Sequence, residues 1–83
     1  MDSIVRNPTA LGAALRRQRK KMRLSQGELG ERINLRQATI SALEAGIADT
    51  KLSTLMDAMA ALGLEIVVRS RSTASDTDIE AAF

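Results

Sequence analysis

The chain has 83 residues and a formal net charge of +2, and it contains no histidine, cysteine, tryptophan or tyrosine. That composition leaves no disulfide framework, no zinc finger, no thiol nucleophile and no imidazole base, so neither enzymatic catalysis nor a metal or other cofactor is expected. A domain of this length buries only roughly 60% of the surface of its unfolded chain, so an oligomer is expected.

The charge is unevenly spread. Residues 6–36 hold nine Lys/Arg against Glu28 and Glu31, a balance of +7, whereas residues 37–83 hold three against seven, a balance of −4. Asn7-Pro8 predicts a helix start, with asparagine as N-cap and proline at the first helical position, where its missing N–H costs nothing. This first helix runs to about Met22, with Leu11, Ala14, Leu15 and Met22 as its apolar stripe. The cluster RRQRKKMR, Arg16 to Arg23, lies largely outside that stripe and carries six positive charges. Such a density suits phosphate contact, and equally describes a solvated basic face.

Ser25-Gln26-Gly27-Glu28 is a capping box, in which serine and glutamate side chains bond each other's backbone N–H groups. The second helix opens there, turns Leu29 and Ile33 inward and ends at Asn34, a residue that tolerates the left-handed conformation. Gly30 in its interior costs roughly 1 kcal/mol relative to alanine. A third helix, about Gln37 to Ala45, buries Ile40 and Leu43 and closes at Gly46. Its N-cap, Arg36, offers no capping oxygen, which leaves the first N–H groups to water or to a phosphate. Two short helices joined by Asn34, Leu35 and Arg36 have the spacing of a helix-turn-helix.

The fourth helix starts after Thr50 as its cap and carries a wide stripe of Leu52, Leu55, Met56, Met59, Ala60 and Leu62, stopped by Gly63. The β-branched run LEIVVR at 64–69 then reads as a strand. The chain holds no second strand candidate, so the partner expected is the same strand of another copy. An antiparallel pair would bury Leu64, Ile66 and Val68 on one face, with Val67 on the other and Glu65 near Arg69 of the second chain. The alternative is a fifth helix, which Ile66-Val67-Val68 after a glycine disfavours.

In a helix-turn-helix the start of the second helix lies in the major groove, where uncharged hydrogen-bonding or small apolar side chains tell base edges apart. Gln37, Ala38, Thr39 and Ser41 meet that need, with Gln37 able to pair adenine in bidentate fashion and Ala38 or the Thr39 methyl able to meet a thymine methyl. Each of these, taken singly, is also an ordinary solvent-facing residue; the capping box, the short turn and the basic first helix together favour readout. Arg16, Arg17, Lys20, Lys21, Gln26, Arg36 and Lys51 are the candidate phosphate contacts.

LSQGELGERINLRQATISALEAG resembles the core of the xenobiotic-response-element (Cro/phage-repressor) helix-turn-helix family, and the likeness extends from about Asn7 through Gly63. It implies a mainly α, four-helix, lambda-repressor-like domain. It also implies that Arg19 and Glu44 occupy the positions of a scaffold ion pair. The stretches NPTALGAALRRQRKKMRLSQ, LRQATIS and TKLSTLMDAMAALGLEIVVRS are similar to HipB-type antitoxins, which pair with HipA-type serine/threonine kinase toxins. The likeness implies a homodimer whose strand after the fourth helix makes an inter-subunit sheet. Gly30 and Asn34 stand where relatives usually carry alanine and glycine.

Residues 1–63 thus read as a DNA-binding domain, 64–69 as a dimerisation strand, and 70–83 as a polar tail expected to be disordered. Ile79 and Phe83, the latter the chain's single aromatic residue, are either a frayed end or an anchor for a partner. No apolar run approaches the roughly 20 residues of a membrane span, and Met1 to Ala10 lacks the order of a secretion signal, so a cytoplasmic protein is expected. The functions expected are an antitoxin that neutralises a HipA-type kinase and represses its own operon at palindromic operators, or a stand-alone Cro/phage-type repressor.

Overall fold

The computed structural model describes residues 2–47 and 49–71. Four helices follow one another among them: α1 Pro8–Lys21, α2 Gln26–Ile33, α3 Gln37–Glu44 and α4 Leu52–Ala61. Local chemistry sets most of their ends. Asn7 Oδ1 accepts from the Ala10 N–H at 2.8 Å, with Pro8 at the first helical position. The α2 capping box is complete, with Glu28 N–H donating to Ser25 Oγ at 3.0 Å and Ser25 N–H to Glu28 Oε1 at 2.9 Å. The Ser25 backbone N–H, and then its hydroxyl, hold the Glu28 carboxyl below its ordinary range.

Asn34 ends α2 in the left-handed region, at φ 58° and ψ 45°. The chain folds back so tightly that the Leu35 N–H donates to the Gly30 carbonyl at 2.8 Å. A Cβ on Gly30 would run into the Leu35 carbonyl oxygen. Gly30 is therefore what lets the turn between α2 and α3 close, and its helix-propensity cost of roughly 1 kcal/mol is smaller than the overlap that alanine would impose.

Leu15, Leu29, Ile40, Leu43, Ala58, Met59 and Leu62 form the core, and Leu11, Ile33, Leu35, Leu55, Ala61 and Leu64 pack against it. Gln18 Nε2 donates to the Leu62 carbonyl at 2.9 Å, tying α1 to the end of α4.

Three expectations need correction. Met22 is the C-cap of α1 and is exposed, because the helix stops before a further turn carries it onto the core. The N-cap of α4 is Lys51, without a side-chain cap, and not Thr50. The α4 stripe is also narrower than its apolar sequence: Leu55, Met59 and Leu62 face the core, whereas Leu52, Met56 and Ala60 recur along the strip beside it and are exposed, Leu52 at 69%.

Beyond α4, residues 64–71 form neither strand nor helix. Leu64 belongs to the end of α4, since its N–H donates to the Met59 carbonyl at 2.8 Å after Gly63 has turned through a positive φ. Ile66, Val67 and Val68 are exposed, the last two at 71% and 93%. The expected anchor residues Ile79 and Phe83 lie outside the described residues.

Candidate nucleic-acid interface

A chain of polar contacts runs from the interior to the first turn of α3. Arg19 on α1 and Glu44 at the end of α3 pair in bidentate fashion, Nε to Oε2 at 2.6 Å and Nη2 to Oε1 at 2.9 Å, with side chains only 9% and 5% exposed. Arg19 Nη1 also donates to the Leu24 carbonyl at 2.8 Å, which fixes the turn between α1 and α2. Glu44 Oε1 further accepts from Gln26 Nε2 at 3.2 Å, and Gln26 Oε1 accepts from Gln37 Nε2 at 3.4 Å. One buried charge pair thus orients Gln26, and Gln26 orients Gln37.

Burial pushes the Glu44 carboxyl up. The hydrogen bonds from Arg19 and Gln26, together with the charges of Arg19 and Arg16, outweigh it and leave the carboxyl below its ordinary range. The hydrogen bond to Glu44 raises the Arg19 guanidinium further. Both groups stay charged at neutral pH.

Gln37, Ala38 and Ser41 are exposed on α3, while Thr39 is half-buried beside Ile40. The exposed three repeat at helical spacings of three and four, so they share one face. Arg36 stands at the N-cap of that helix, exposed, with no side-chain cap.

Arg16, Arg17 and Lys20, with Thr9 and Ala13, line a shallow groove against Glu44 and Ala45. Arg17 Nη2 donates to Ser3 Oγ at 3.3 Å. Lys21 is exposed in the last turn of α1, and Lys51 stands apart at the start of α4. The structure therefore brings Gln26, Arg36, Gln37, Ala38 and Ser41 to one place, and Arg16, Arg17 and Lys20 to another beside the same ion pair. Gln26 is expected at a phosphate held by backbone N–H groups of the α2 N-terminus; its side-chain amide is engaged at both ends within the protein. Its link to Glu44 spans eighteen residues, and no local sequence signal carries it.

The comparisons with known proteins agree on the fold. A family model described as Helix-turn-helix (HTH_3) matches residues 15–68. A comparison with curated proteins finds no match. Among solved structures, HipB in complex with an O2 20mer superposes with a TM-score of 0.80 at 28% identity, over 87% of this chain and 100% of that one. HipB in a HipA-HipB-O2-O3 complex gives 0.78 at 28% identity, over 86% and 100%. The clp gene regulator ClgR from C. glutamicum gives 0.62 at 32% identity, over 90% and 87%. Among the described residues no helix is long and apolar enough to cross a membrane.

Proposed function

The chain belongs to the helix-turn-helix family HTH_3, of the xenobiotic-response-element type, and from that premise we propose that it is a homodimeric DNA-binding antitoxin. In this reading it represses its own operon and neutralises a HipA-type kinase. The observation that carries the DNA part is the hydrogen-bonded pair Gln26–Gln37, which presents an uncharged, exposed first turn of α3 on a frame locked by Arg19 and Glu44. The likeness to HipB structures that contain HipA and O2 20mers supports the antitoxin part.

Each subunit would place α3 in one major groove, where Gln37 pairs with adenine and Ala38, Thr39 and Ser41 meet neighbouring base edges. Arg16, Arg17, Lys20, Lys21, Arg36 and Lys51 would hold phosphates, with Gln26 serving through its hold on Gln37. Two-fold symmetry then requires a palindromic operator with half-sites a whole number of helical turns apart. Gln37→Ala is expected to relax specificity at one base position, by about 1–3 kcal/mol of discrimination. Lys20→Ala is expected to weaken all sequences alike and to lower the salt slope by about one. Titrations of matched and single-substituted operator duplexes across a salt series separate the two, and exchanged results would show α3 to be docked wrongly.

The dimer reading rests on apolar side chains that the chain leaves uncovered: Leu52 and Met56 on α4, then Ile66, Val67 and Val68. A second copy pairing residues 64–69 would cover the last three and satisfy their backbone groups. Val68→Asp is expected to shift the protein to monomer in sedimentation and to lose operator binding while keeping its helical signal. A dimer that survives this change would move the interface elsewhere.

The test of the whole reading is binding to the DNA upstream of its own reading frame, with and without the co-expressed product of the neighbouring frame. Specific binding together with co-purification and silencing of a kinase supports the antitoxin. Specific binding without such a partner supports a stand-alone repressor, the reading that the likeness to the regulator ClgR favours. A copy ending at Ser70 asks whether Ile79 and Phe83 anchor that partner.

A further inference from the structure

Arg23 follows the C-cap of α1, and its φ of 59° lies in the left-handed region. The backbone there closes the helix with two reverse bonds: the Arg23 N–H donates to the Lys20 carbonyl at 3.0 Å and the Leu24 N–H to the Arg19 carbonyl at 3.1 Å. Such a closure ordinarily takes glycine, because a Cβ is penalised at positive φ. Glycine fills the same role after α3 and α4, at Gly46 and Gly63, and the remaining positive-φ residue among the described residues is Asn34, whose short polar side chain is tolerated there. Arginine has no such tolerance. Its side chain is exposed and makes no hydrogen bond or ion pair among the described residues, so no contact among them offsets the strain.

The turn that carries it is fastened to the base-reading face. Leu24 is buried, and its carbonyl is held by Arg19, which is clamped to Glu44; Glu44 accepts from Gln26, and Gln26 accepts from Gln37. Arg23 thus rides on the same frame as Gln37, two residues before the α2 N-cap Ser25. Its five basic neighbours in the cluster, Arg16, Arg17, Arg19, Lys20 and Lys21, sit at helical positions where Arg and Lys carry little penalty. Arg23 alone among the six is held against its backbone preference.

We propose that Arg23 is a phosphate-contacting residue of the DNA interface, retained for its charge at a position that glycine would occupy more stably. The inference rests on the DNA-binding reading above. Its test compares the full-length protein with Arg23→Gly and Arg23→Lys, by thermal unfolding and by titration with a mixed-sequence DNA duplex across a salt series. Non-specific binding is almost entirely electrostatic, so it reports this contact without knowledge of the operator. Arg23→Gly is expected to raise the folding equilibrium constant on the order of five-fold. It should also bind several-fold more weakly at low salt, with a slope shallower by about one. Arg23→Lys keeps the charge and should match the parent in slope and stability.

An Arg23→Gly protein that binds with parental affinity and slope overturns the proposal, leaving Arg23 a solvated charge. One that gains no stability removes its premise. If the parent binds no duplex even at low salt, the DNA-binding reading has failed and the proposal falls with it, and the parental arm distinguishes this failure from the other two.

Discussion

Glu44→Ala is expected to destabilise the fold by about 3–5 kcal/mol, because it leaves the Arg19 guanidinium buried without its counter-charge. A domain of this kind has only about 5–15 kcal/mol in all, so the variant should melt far below the parent or fail to fold at all. Arg19 keeps one acceptor, the Leu24 carbonyl, which is too little to satisfy a charge that is 9% exposed. A loss below about 1 kcal/mol, typical of exposed pairs, would show that water reaches the pair and that the frame does not depend on it.

The same pair sets an acid limb. The folded Glu44 carboxyl lies below its unfolded value, so the unfolded chain takes up the proton first as pH falls. The stabilisation from Glu44 is therefore complete above the ordinary carboxylate range and is lost as pH drops through that range to below the folded value. The exposed Glu28 acts in the same direction. The gap between parent and Glu44→Ala should accordingly shrink in acid, and chemical unfolding at neutral and acid pH measures it. A gap independent of pH would mean that the carboxylate charge is not what Glu44 contributes.

How far the molecule is legible in its sequence depends on whether a feature is local. Asn7-Pro8, Ser25 with Glu28, and Asn34 mark helix ends because capping is decided within a few residues. The α3 face of Gln37, Ala38 and Ser41 follows from helix-turn-helix spacing, though Thr39 sits deeper than its neighbours. Hydropathy cannot separate an apolar residue bound for the core from one that stays exposed, which is why Leu52 and Met56 read together with Met59. Gly30 reads as a weakness until the Leu35 carbonyl is seen beside it. The bond from the Gln26 side chain to Glu44 leaves no mark in the sequence because Glu44, eighteen residues on, is a tertiary neighbour. Arg23 disappears into a basic cluster because charge leaves no trace of φ.

The second large effect is expected at a tertiary contact of the same kind. Gly12 is buried where α1 crosses the end of α3, and a Cβ there would meet backbone: the Glu44 carbonyl oxygen, the Glu44 carbonyl carbon at 2.7 Å and the Leu43 carbonyl oxygen at 2.7 Å. Gly12→Ala gains about 1 kcal/mol of helix propensity, but overpacking costs about 1–3 kcal/mol and more where no side chain can rotate aside. The steric cost should win, so the variant is expected to melt lower. Gly27→Ala is the matched control, since its Cβ would meet only Ser25 Oγ, at 3.8 Å, and it should be neutral or stabilising. Because the displaced segment carries Glu44, Gly12→Ala should also loosen Gln26 and Gln37 and so blur operator discrimination in molecules that remain folded. Equal stability of the two variants would mean that α1 and α3 separate freely at this contact, and the rigid frame assigned to the reading face would then have to be carried by Arg19 and Glu44 alone.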